Sequence, residues 1–111
     1  RQMCIRDRHR DDWSIEDVIA FADLLVKDVH LEVKGAGIAS LEARRRELRP
    51  SHLGVFKRWL AQSHAANWAT TDGLSGALIA PLLDAHPRLI PMVAAWAGHR
   101  NLWVRRAAAV S

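Results

Sequence analysis

The chain predicts an all-α fold, an α-solenoid of stacked helix pairs, on three observations. Its 111 residues are half apolar and lack Tyr, with Ala and Leu dominating, a profile that suits packed helices better than a sheet. Apolar residues recur at three- and four-residue spacing in one segment after another. A longer pattern also repeats: Pro50 precedes Trp59 by nine positions, Pro87 precedes Trp96 by nine, and the two copies are offset by 37.

Residues 1–10, RQMCIRDRHR, fit no periodic pattern and read as a non-native adapter remnant, with a native disordered basic arm as the alternative. The domain then spans residues 11–111. Ser14 with Asp17 three residues on forms an approximate capping box. After it Ile15, Val18, Ile19, Ala22, Leu25 and Val26 fall on one helical stripe. A second helix is predicted over 29–48, weakened by Gly35 and Gly37. A third runs from Pro50 to Ala61 and buries Val55, Phe56, Trp59 and Leu60. Helix four starts near Thr70, buries Leu74, Ala77, Leu78 and Leu82, and meets a kink at Pro81. Helix five carries Leu89, Met92, Val93, Trp96 and Ala97 at i, i+3, i+4, i+7, i+8 spacing. Helix six begins near Leu102.

Aligned on their prolines, PSHLGVFKRW and PRLIPMVAAW place Leu53 over Ile90 and Val55-Phe56 over Met92-Val93. Each copy runs into a short polar turn with a second tryptophan, Trp68 and then Trp103. A weaker third copy covers 13–40, with Leu31 where that tryptophan would stand. Helix pairs at this period indicate a HEAT-like solenoid of about three repeats, each pair burying its apolar face against its neighbours. A globular bundle of four or five helices is the competing architecture, but it does not require the Pro-to-Trp spacing to recur. The last helix stops at Ser111 with Ala107–Val110 seeking a partner and no polar capping repeat, so the chain reads as a C-terminally truncated fragment, expected to be inactive on its own.

Composition excludes several classes. No apolar run approaches the ~20 residues that span a bilayer, and no secretory leader opens the chain. The single cysteine, Cys4, excludes an internal disulfide framework and fits a reducing compartment. A soluble cytoplasmic monomer is expected. The net charge of +4 is weak evidence for a nucleic-acid partner, because residues 1–10 carry most of it. Its distribution says more. Six acids crowd residues 11–28 against Lys27, whereas residues 49–111 hold seven bases and only Asp72 and Asp84 as acids. Such a polarised surface suits phosphate, with a merely solvated face as the alternative. The six histidines (9, 30, 52, 64, 86, 99) lack metal-ligand spacing, and no phosphate loop, nucleophile elbow or zinc pattern occurs. Neither metal nor cofactor is expected.

The tryptophans divide by position. Trp59 and Trp96 sit mid-helix on the apolar stripe and read as core. Trp68 and Trp103 open the second helices of consecutive repeats beside Asn67 and Asn101. Asp72, the only acid between Glu47 and Asp84, lies four residues after Trp68 and so on the same helical face. Arg106 stands near the corresponding place after Trp103, with Arg105 beside it. Helix starts also present N–H groups that favour phosphate oxygens. His64 and His99 occupy equivalent turns where they could meet phosphate or be ordinary turn residues. The alternatives are a wedge between repeats for the tryptophans, a first-turn acid for Asp72 and a solvated face for the arginines.

WLAQSHAANWATTDGLSGALIAPLLDAHP followed by WAGHRNLWVRRAAAV resembles the DNA alkylation repair proteins, the AlkD-like DNA glycosylases built from HEAT-like repeats. The resemblance is loose over 13–111 and close over 59–110. Two motifs carry it: a tryptophan with an aspartate four residues on, and N-x-W-x-x-R-A-A. It implies Trp68 as an aromatic wall of the lesion site and Asp72 as the catalytic carboxylate. Arg106 would contact the DNA backbone near the lesion, with Arg105, Trp103 and Arg100 as further DNA-binding residues. Members excise cationic N3- and N7-alkylated purines from duplex DNA, held in a basic concave channel. Ala69 departs from the pattern, since members often carry an acid directly after the tryptophan. Two other readings compete: a catalytically silent relative that binds DNA, and a HEAT-type protein-interaction scaffold.

Overall fold

The structure, a computed structural model, describes residues 13–62 and 67–111, with Trp68 described through its backbone. The readings of residues 1–10 and of His64 lie outside those residues. Six helices and four short 3-10 turns form the described part, and no strand is among the described residues.

Helix α1, Ile15–Val26, begins with the capping box that the sequence signals. The Ser14 hydroxyl accepts from the Asp17 N–H at 3.1 Å, and the Asp17 carboxylate accepts from the Ser14 N–H at 3.3 Å. Two of the helix's four orphan donors are thereby satisfied reciprocally. Ile15, Val18, Ala22 and Val26 are buried, while Ile19 and Leu25 are half-buried. At the other end the buried Lys34 donates its Nζ to the Val26 carbonyl at 2.6 Å, a cation on a helix C-terminus.

Helix α2, Leu31–Glu42, passes through both glycines without interruption. A Cβ on Gly37 would stand 3.0 Å from the Leu25 Cβ and 3.1 Å from the Ala22 carbonyl oxygen, so its absence lets α1 and α2 touch. The helix ends six residues before the sequence expectation. Two 3-10 turns, Arg45–Glu47 and Pro50–His52, occupy the remainder. Pro50 keeps its predecessor out of the helical region, and Arg49 is extended. Arg44 also folds back, donating to the Trp13 carbonyl at 2.6 Å and to both Glu47 oxygens.

Helix α3, Leu53–Ala61, buries Phe56, Trp59 and Leu60 completely. The Trp59 indole N–H donates to Asp23 of α1 at 2.7 Å, which ties the second repeat to the first. Helix α4 has three sections: α-helical Trp68–Leu74, a π turn Ser75–Ile79, and α-helical Ala80–Ala85. The expected disturbance at Pro81 thus takes the form of a widened turn just ahead of the ring, which would otherwise clash with a carbonyl one turn back. Leu74, Leu78, Ile79, Leu82 and Leu83 are buried and Ala77 half-buried.

Helix α5, Ile90–Ala95, lies between the 3-10 turns Pro87–Leu89 and Trp96–Gly98. Its buried stripe is narrower than predicted: Leu89, Val93 and Trp96 are inside, but Met92 is 57% exposed and Ala97 is exposed. The tighter winding at both ends rotates those two positions off the stripe. Helix α6, Leu102–Val110, buries Val104 and Ala107.

The packing is that of a helical repeat. The second helices α2, α4 and α6 lie side by side, α1 packs on α2, and α3 and α5 pack on α6. The core runs between the layers, with Phe56, Trp59, Leu60, Leu78 and Val104 at its centre. Repeat junctions reuse the recurring tryptophan. Trp59 bonds back to α1, and Lys57 of α3 lies 5.8 Å over the Trp96 ring.

Candidate functional site

The starts of α4 and α6 are built alike. The Asn67 side-chain oxygen accepts from the Thr70 N–H at 2.7 Å. The Asn101 oxygen accepts from Trp103 N–H at 2.9 Å and Val104 N–H at 3.1 Å. The asparagine ahead of each second tryptophan is therefore an N-cap. Sequence reasoning noted these asparagines only as neighbours, although an Asn directly before an apolar-periodic segment is itself the signal. Trp68 is the first residue of α4, and Trp103 is the second of α6. Trp103 is half-buried against the core.

Asp72 falls in the second turn of α4, so it is not a first-turn acid that pairs with the helix dipole. Packing of α4 on α6 brings it to Arg106. The Arg106 Nε donates to Oδ1 at 3.0 Å and Nη2 donates to Oδ2 at 2.9 Å. Both side chains remain about 40% exposed. The hydrogen bonds from Arg106 hold the Asp72 carboxyl below its usual value, and the same bonds raise the Arg106 guanidinium. Asp72 is therefore an anion at neutral pH, with one lone pair of each oxygen engaged.

Arg105 and Arg100 are placed differently. Arg105 Nη1 donates to the carbonyls of His99 at 2.9 Å and Arg100 at 3.1 Å, so this guanidinium is held against the loop that leads into α6. Arg100 is exposed. No carboxylate pairs with either arginine among the described residues. His99 Nδ1 accepts from the Asn101 N–H at 2.9 Å, which puts the proton of the neutral ring on Nε2. The Asn101 side chain also donates to the Ala61 carbonyl at 3.4 Å. The structure thus brings Asp72 and Arg106 into contact, while Arg100 and Arg105 form a separate cationic cluster at the α6 start.

Between Asp72 and α2, the outward ridge of α4 is bare. Ala69, Gly73 and Gly76 are exposed, and a Cβ at either glycine would meet nothing within 4 Å. Beside the ridge, Leu31, Ile38, Ala39 and Thr70 help line a groove of about 260 Å³ between α2 and α4. Chemically, the site offers one fixed carboxylate, three guanidiniums and room for a large ligand to approach the helix closely. No group of three His, Cys, Asp or Glu side chains able to hold a metal occurs among the described residues, and no helix there is long and apolar enough to cross a membrane.

A family model described as DNA alkylation repair enzyme matches residues 3–111. No curated protein and no solved structure matches the chain.

Proposed function

The chain belongs to the DNA alkylation repair enzyme family, and from that premise we propose that it is a DNA glycosylase acting on cationic N3- and N7-alkylated purines. The observation that carries this reading is the anionic Asp72, half-exposed and hydrogen-bonded by Arg106, on the helical face that begins at Trp68. An N3- or N7-alkylated purine already bears positive charge and is a good leaving group. As C1′–N9 stretches, the bonding pair passes to the base and neutralises it, leaving an oxocarbenium-like sugar. A fixed carboxylate stabilises that cation where it develops. Water then adds to C1′ and loses a proton, with Asp72 as the acceptor within reach. The products are the free alkylpurine and an abasic sugar.

Trp68, one turn before Asp72, would offer its ring face to the cationic base or sugar, an attraction of ~0.5–2 kcal/mol. Arg106, Arg105 and Arg100 supply the phosphate contacts, which fix register without reading bases, with Trp103 bracing the same helix start. Selectivity would then come from the lesion's charge. One observation favours the silent-relative reading: Arg106 engages both oxygens of Asp72, as a clip between repeats would. Release of 7-methylguanine from a duplex separates the two. Release that depends on Asp72 supports the glycosylase, and tight binding without release supports the silent relative.

A further inference from the structure

On the proposed reading Asp72 acts on a developing cation and Arg106 acts on a phosphate. In the structure each neutralises the other through a bidentate pair, so neither charge is fully available while the pair is closed. A closed pair has no net charge to attract a phosphate, and an approaching phosphate would meet the Asp72 carboxylate as a like charge. The pair is also half-exposed on both sides, where water weakens the attraction and makes a change of partner cheap. A backbone phosphate offers guanidinium the same fork geometry as a carboxylate. Arg106 projects from α6 one turn after Trp103, and its neighbours Arg105 and Arg100 already gather positive charge at the start of that helix without a carboxylate partner among the described residues.

We propose that Arg106 is a shared positioning residue that changes partners: it holds Asp72 in the free protein and moves to a DNA phosphate on binding, uncovering the carboxylate only where duplex is present. The inference rests on the DNA-binding part of the proposed function. It does not depend on base release. The positive charge that acts on Asp72 is that of Arg106, so loss of the pair has a direct signature at the carboxyl.

The test is the titration of the Asp72 side-chain carboxyl, followed by carbon NMR in the free protein and on an undamaged duplex. In the free protein the carboxyl should titrate below an ordinary aspartate. On the duplex its midpoint should move up to the ordinary aspartate range or above it. In Arg106→Gln it should start at or above the ordinary value and move less when the duplex binds. An unchanged depression on saturating duplex would overturn the exchange and leave Arg106 on the Asp72 carboxylate in the complex. Absence of duplex binding would overturn both this inference and the reading beneath it. Binding with the predicted titration but no release of 7-methylguanine would leave the exchange standing and refute the glycosylase alone.

Discussion

His52 shows how a single buried side chain sets a pH limit on the fold. It is 6% exposed at the start of α3, its Nδ1 accepts from the Arg49 N–H at 2.9 Å, and its Nε2 lies 3.9 Å from Glu16 of α1. Burial lowers its pKa below the ordinary 6.5, against the pull of Glu16, and Arg49, itself paired with Glu16, lowers it further. The unfolded chain therefore takes up the proton first as pH falls. The stability linked to His52 is present above pH 6.5 and is lost below it as pH moves down towards the folded value. Thermal unfolding from pH 7.5 to 5.5 should show a falling midpoint, and His52→Gln should remove part of that slope. An identical slope in the variant would assign it elsewhere. At this scale the sequence signalled Asp72, Arg106 and the core roles of Trp59 and Trp96. It could not signal that Asp72 and Arg106 pair, because 34 residues separate them and only the packing of α4 on α6 joins them.

Within the helices, the glycines make opposite predictions. Gly73 and Gly35 sit on outward faces with open space where a Cβ would be, whereas Gly37 is pressed against α1. Gly73→Ala and Gly35→Ala should each stabilise the fold by about 0.5–1 kcal/mol through helix propensity. Gly37→Ala should destabilise it despite the same propensity gain, since the new methyl forces Leu25 or the Ala22 backbone to shift. Urea unfolding of the three variants checks the signs. The caps make a second prediction. Asn67→Ala and Asn101→Ala should each cost about 1 kcal/mol, Asn101→Ala the more because its oxygen serves two N–H groups and its amide reaches Ala61. Helix existence and order were legible from periodicity. The boundaries of α2 and the winding of α4 and α5 were less so, because Arg44 bonding back to Trp13 and the π turn before Pro81 are not written in the spacing of apolar residues.

At the scale of the molecule, the 37-residue recurrence of proline and tryptophan became a recurrence of junctions. Each of these tryptophans ties its repeat to the one before, Trp59 within α3 through Asp23 and Trp96, in the 3-10 turn that ends α5 rather than mid-helix, through Lys57. Trp59→Phe keeps most of the buried ring but leaves Asp23 without the indole donor, so it should loosen the first repeat from the second, seen as faster amide exchange in α1 than in α6. Uniform exchange across the chain would count against a junction role. The cationic cluster at the α6 start makes the corresponding electrostatic prediction. Affinity for undamaged duplex should fall steeply with salt, and Arg100→Ala should reduce the slope of log K against log salt by about 0.9, one phosphate contact. An unchanged slope would remove Arg100 from the interface.

The glycosylase activity proposed for this chain depends most directly on Asp72. The measurement is release of 7-methylguanine from a duplex that carries one such lesion, by the full-length wild-type protein and by its Asp72→Asn variant, with duplex affinity measured alongside. Release by the wild type is expected, with a fall of about 10²–10³-fold or more in the variant, the scale of losing one preorganised electrostatic group, while affinity is kept or raised because Arg106 loses its competing partner. Equal release by both proteins, or tight binding with no release by either, would contradict that expectation.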